Sequence, residues 1–130
     1  MAKLTDCRNT TEIYTGGMKY IYRRTAGAEI LAGALVAQNS SGEAVPAADA
    51  FGLVILGRAE NSASAGEGVA VKRASFIYDN GEGAEALTVA DIGKECFALD
   101  DATVGKTGGT NKVKAGIVLD VTPDGVAIVM

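Results

Sequence analysis

The sixteen residues AGIVLDVTPDGVAIVM, numbers 115–130, decide the fold class. Two β-branched apolar runs, Ala115 to Val121 and Val126 to Met130, flank Thr122-Pro123-Asp124-Gly125. Proline presets φ for a turn and glycine supplies a positive φ, so the segment predicts a β-hairpin. Its strands are apolar almost throughout, with Asp120 the exception, which places the hairpin at the centre of the core. Working backwards, Glu95 to Leu99 and Ala102 to Val104 predict two short strands around Asp100-Asp101, and Thr107-Gly108-Gly109-Thr110-Asn111 predicts a loop. Thr88, with Asp91 three positions on, is the one convincing helix start; Gly93 limits it to about a single turn near Thr88 to Ile92.

Val69 to Tyr78 is the longest strand candidate. Val69 and Val71 share one parity and Phe76 and Tyr78 the other, so a β-bulge near Lys72-Arg73 is expected to bring all four to one side. Asp79-Asn80-Gly81 then turns the chain. Gly52 to Ala59 reads as a buried strand, and Ile30 to Gln38 as an apolar stretch closed by the turn Asn39-Ser40-Ser41-Gly42, with Glu43 to Val45 returning beside it. Between Ile13 and Arg23, after the Gly16-Gly17 break, Met18, Tyr20 and Tyr22 alternate with Lys19 and Arg23, the pattern of a half-buried strand with the tyrosine face inward. The expected fold is all-β: a compact small β-barrel or β-tulip-like domain over residues 25–130, with one short helix, preceded by an extended N-terminal arm and first strand over residues 1–24.

Composition agrees. The chain has 130 residues, one domain's worth, with 17 Gly, 2 Pro, no Trp, and an apolar share of 48%. The net charge is −4, and it is uneven. Met1 to Arg24 holds five basic residues (Lys3, Arg8, Lys19, Arg23, Arg24) against Asp6 and Glu12, a surplus of three, so the remaining residues carry −7. A basic arm on an acidic body points to a contact with something negative.

Several chemistries lack their residues. There is no His, the commonest general base and transition-metal ligand, so triads and zinc sites are not expected. Cys7 and Cys96 make neither a metal spacing nor a disulfide framework; Cys96 reads as a small core residue and Cys7 as an exposed thiol. Gly105-Lys106-Thr107 lacks the upstream glycine and following helix of a phosphate loop. Asp79, Glu82, Glu85, Asp100 and Asp101 do not follow calcium-loop spacing and read as solvated turn residues. Nucleic-acid binding is disfavoured by the acidic balance. No apolar run approaches a membrane span and no export signal is visible, so a soluble protein of a reducing compartment is expected. No cofactor and no catalysis are expected.

The ordered segments Gly52 to Glu60, Val69 to Phe76, Leu87 to Lys94, Asp100 to Val104, Thr107 to Asn111, Ala115 to Val121 and Asp124 to Val126 resemble the capsid cement, or head decoration, proteins of tailed bacteriophages and prophages. The resemblance covers about three-quarters of the chain. It departs from the family pattern at Ala74, where glycine is common, and at Ala127, where an aromatic is common. It implies a non-catalytic virion protein, made in the bacterial host cytoplasm, that binds the outer surface of the assembled major capsid protein and stabilises the head. It also implies a homo-oligomer, a trimer by analogy, and an arm of about Ala2 to Thr15 that adds to a capsid strand. The capsid-contact residues it suggests are Lys3, Leu4, Thr5, Arg8, Ile13 and Tyr14. The other readings are a ligand- or glycan-binding β-module displayed on a virion, which the absence of Trp weakens, a small enzyme, and a subunit of some other assembly.

Overall fold

The computed structural model describes residues 3, 5–8 and 19–130, and these form an all-β protein of ten strands. The strands are β1 (Lys19–Arg24), β2 (Leu35–Gln38), β3 (Ala44–Pro46), β4 (Val54–Ala59), β5 (Gly68–Arg73), β6 (Ser75–Asn80), β7 (Glu95–Ala98), β8 (Thr103–Gly105), β9 (Lys114–Thr122) and β10 (Gly125–Val129). They make two sheets. One is open and antiparallel, in the order β1-β5-β4-β2-β3; the other closes into a five-stranded barrel, β10-β6-β8-β7-β9, whose only parallel pair is β6 with β8. The open sheet curls until its two edge strands touch through a bridge between Thr25 and Ala44.

The expected terminal hairpin is present as β9 and β10, joined at Thr122 and Gly125. It lies within the barrel wall, with Val118, Val126 and Ile128 buried inside. The turn after β2 and the return as β3 also form as expected. So does the short turn at Val89–Asp91, where Thr88 and Asp91 make a reciprocal capping box; a second single turn of 3-10 helix spans Gly83–Glu85.

Two expectations are corrected. Val69 to Tyr78 is not one bulged strand: β5 belongs to the open sheet and β6 to the barrel, with the change at Ala74. Val69 and Val71 enter the core of the open sheet, while Tyr78 enters the barrel core with Phe76 packed against it. Alternation reports only which side of the local sheet is buried, so passing from one sheet to another reverses parity without an inserted residue. In β1, Tyr22 is 71% exposed whereas Ile21 packs on the core, so the inward face is the opposite of the one expected. The bulky apolar content of the tyrosines misdirects the reading, since an edge strand needs only one apolar residue per turn of the pleat to face inward.

The two cores meet across β2 and β4. Leu35, Ala37 and Ile55 pack with the barrel interior, while Val36 and Leu56 face the interior of the open sheet. Over Leu35 to Ala37 and Ile55 to Leu56 these central strands are thus buried on both faces, which explains why those runs are apolar without alternation.

Candidate interaction surfaces

The arm residues Lys3, Thr5 and Arg8 are exposed; Leu4, Ile13 and Tyr14 lie outside the described residues. The charge of this region divides more finely than composition suggests. Lys19, Arg23 and Arg24 belong to β1, so residues 1–18 hold two basic residues against two acidic ones and the positive surplus sits on the sheet edge. Arg23 Nε donates to Gln38 Oε1 at 3.0 Å and Arg24 Nη1 donates to the Gly66 carbonyl at 2.8 Å, which fixes both side chains along that edge.

Of the groups considered for chemistry, Cys96 is fully buried in the barrel and burial pushes its thiol up to about 11. A thiol held protonated in that way is a packing group. Among the described residues no three His, Cys, Asp or Glu side chains converge as a metal would require.

Glu85 is not the solvated turn residue expected. Its Oε1 accepts from Thr107 N at 2.7 Å and Gly108 N at 3.1 Å, and its Oε2 accepts from Thr107 Oγ1 at 2.5 Å and Gly109 N at 3.0 Å. These bonds, the Thr107 hydroxyl first, hold its carboxyl down at about 2 despite opposing desolvation. Asp49 continues the series by accepting from Thr110 N at 2.9 Å, Asn111 N at 2.7 Å and Asn111 Nδ2 at 2.9 Å, the Thr110 amide leading the depression of its carboxyl. Five successive amides, 107–111, therefore point at two carboxylates from distant parts of the chain. Gly108 at φ 81° and Gly109 at φ 60° permit that concave path. The arrangement is a structural latch: it ties the β8–β9 loop to the segments before β4 and β7. Asp91, almost fully buried, accepts from Thr88 N at 2.9 Å and lies 3.7 Å from Lys106 Nζ and 3.8 Å from Lys94 Nζ.

The exposed apolar side chains are the remaining surface feature. Phe51, 93% exposed, stands on the turn before β4, two residues past Asp49, and Val54 lies nearby. On the other side, Leu31 and Ile77 rim a groove of about 390 Å³ between the segment Leu31 to Ala34 and strand β6. Asp79 and Asp101 line the same groove. Neither Asp49 nor the groove was singled out by sequence, because each depends on residues brought together from more than forty positions apart.

No family of known proteins, no curated protein and no solved structure matches this chain.

Proposed function

We propose that this protein is a structural component of a tailed-phage or prophage head, bound to the outer surface of the assembled major capsid protein and stabilising the shell. The observation that carries the reading is the ordered set of resembling segments and where they fall in the fold. They supply β4, the passage from β5 to β6, the capped turn at Thr88, β8, the latch loop and the terminal hairpin. They include β4 and β5 of the open sheet and reach β6, β8, β9 and β10 of the barrel. A small all-β domain is the kind of unit such a role requires, and many copies on a lattice need only modest affinity each. In this reading the arm from about Ala2 to Thr15, which leads into edge strand β1, gains affinity by strand addition to a capsid strand.

The test is co-sedimentation with expanded capsids, prepared without this protein, of the phage or prophage that encodes it. The full chain is expected in the pellet. A chain lacking Ala2 to Thr15 is expected to keep its far-ultraviolet circular dichroism and stay in the supernatant. Failure of the full chain to pellet rejects head decoration, and all the more so if a glycan array then gives specific binding. Undiminished pelleting of the shortened chain rejects the arm as the contact.

A further inference from the structure

The terminal hairpin is apolar on both of its faces, but the fold buries only one. Along β9 and β10, Ala115, Val118, Val126 and Ile128 turn into the barrel, while Ile117, Leu119 and Val129 are left exposed and Ala127 is partly so. A sheet face that meets water ordinarily carries polar side chains at alternate positions, and an apolar run without alternation marks a strand covered on both sides. The outward face continues onto β6, where Ile77, also exposed, pairs with Ala127. Val129 pairs with Ile117 on one side and with Ser75 on the other. Leu119 is the extra residue of the bulge between Val118 and Asp120, beside Ala127. Five apolar side chains therefore adjoin one another across three strands, and a contiguous apolar patch with a charged rim marks an interaction site.

The rim differs in sign from end to end. Near the hairpin turn, Asp79 follows Ile77 by two residues along β6, and Asp120 pairs with Ala127. At the opposite end, Arg73 and Lys114 line a hollow of about 220 Å³ with Ile117 and Val129. Glu95 lines that hollow too and holds Lys114 Nζ at 3.1 Å. Arg73, Asp79 and Asp120 meet no opposite charge within 4.0 Å among the described residues. Strands β6 and β9 are each antiparallel to β10 and so run the same way. Both sides of the patch thus pass from a cation to a carboxylate in one direction, from Arg73 to Asp79 on one side and from Lys114 to Asp120 on the other.

We infer that two copies of this chain pack face to face through the outer wall of β6, β10 and β9, about a two-fold axis that crosses the strands. Such an axis lays β10 on β10 in opposite directions, so the basic end of each copy covers the acidic end of the other. Arg73 then meets Asp79, Lys114 meets Asp120, and the apolar side chains close the centre. A parallel arrangement would lay cation on cation and carboxylate on carboxylate, so charge selects the antiparallel one. Because one patch serves both partners, the contact is isologous and closes at two copies. It does not depend on capsid binding and is tested without capsids.

The experiment is sedimentation velocity on the full chain over a concentration series, with the charge-reversed variants R73E and D79K. The wild-type chain is expected to sediment as two chains. Each variant alone is expected to associate about tenfold or more weakly, because like charges then face each other twice across the contact. An equimolar mixture of the two is expected to recover association, since each supplies the charge that the other lacks. Val129→Lys, which sets a charge at the apolar centre without entering the core, is expected to leave a single chain. A wild-type chain that is single at all concentrations overturns the inference, and so does one that runs as three. So do variants that keep the wild-type association, or a mixture that stays dissociated while each variant has the wild-type circular dichroism. The chain lacking Ala2 to Thr15 is expected to pair as the full chain does; if it is single, the arm joins the copies and the inference falls. Where a reversal unfolds the chain, R73Q and D79N are read instead, with weaker association expected of each.

Discussion

Glu85 is held by three backbone amides and a hydroxyl, all from a loop more than twenty residues further along the chain. Its carboxyl sits at about 2 in the folded protein against an ordinary 4.5. A depressed folded-state value means that the bound carboxylate stabilises the fold above its ordinary value and that this contribution is lost as pH falls from about 4.5 towards about 2. Asp49 and Asp91 are lowered as well and act in the same direction. Urea midpoints measured from about pH 6 down to about pH 2 should therefore fall steeply for the wild type. Glu85→Gln should be less stable near neutrality and show a shallower slope; an unchanged slope would mean that the latch does not respond to protonation. The capping box shows what sequence can reveal at this scale. Thr88 and Asp91 are three residues apart and were legible as partners, whereas Glu85 and Thr107 are 22 apart and each looked like an ordinary loop residue.

At the scale of elements, β4 shows how the sheet manages to be buried on both faces. Its register against β2 shifts between Val36 and Ala37, so that Val36 pairs with Gly57 and Ala37 with Ile55. Leu56 is the extra residue, and the shift returns Ala59 to the same core as Leu56 although three positions separate them. Gly57 has φ 152°, and a Cβ there would strike the Lys72 carbonyl and come within 3.1 Å of Val71 Cγ1. Gly57→Ala is expected to cost about 2 kcal/mol or more, from backbone strain and the clash with β5 together, read as a loss of chemical-denaturation midpoint. A midpoint within error of the wild type would show that the bulge can relax. Strand positions were largely legible, because alternation and turn residues are local signals. Sheet membership was not: Val69 to Phe76 carries the same pattern whether a bulge or a change of sheet reverses it, and only the partners of β5 and β6 decide.

For the whole molecule, β1 fixes where an N-terminal arm can begin. Its six residues pair with β5 from Lys19 opposite Arg73 to Arg24 opposite Gly68, and Ile21 packs on the core containing Val69 and Val71. Removing residues 1–24 strips the outer partner of β5 and uncovers that core. The expected loss is about 3 kcal/mol or more in unfolding free energy, with aggregation through the bared edge, both visible in thermal melts with light scattering. A truncated chain as stable as the full one would make β1 dispensable. The five-base count over residues 1–24 suggested one basic arm; the division at β1 assigns three of those bases to the folded sheet.

The passage at Ala74 also has a mechanical meaning. Strands β5 and β6 are separated by a single residue, yet one stands in the open sheet between β1 and β4 and the other in the barrel wall between β10 and β8. A pull on the edge of the open sheet is thus handed to the barrel through peptide bonds, not only through apolar contact between the sheets. To part them, a tensile force must strip a whole strand from its ladder, so the sheets separate only when one of them loses a strand.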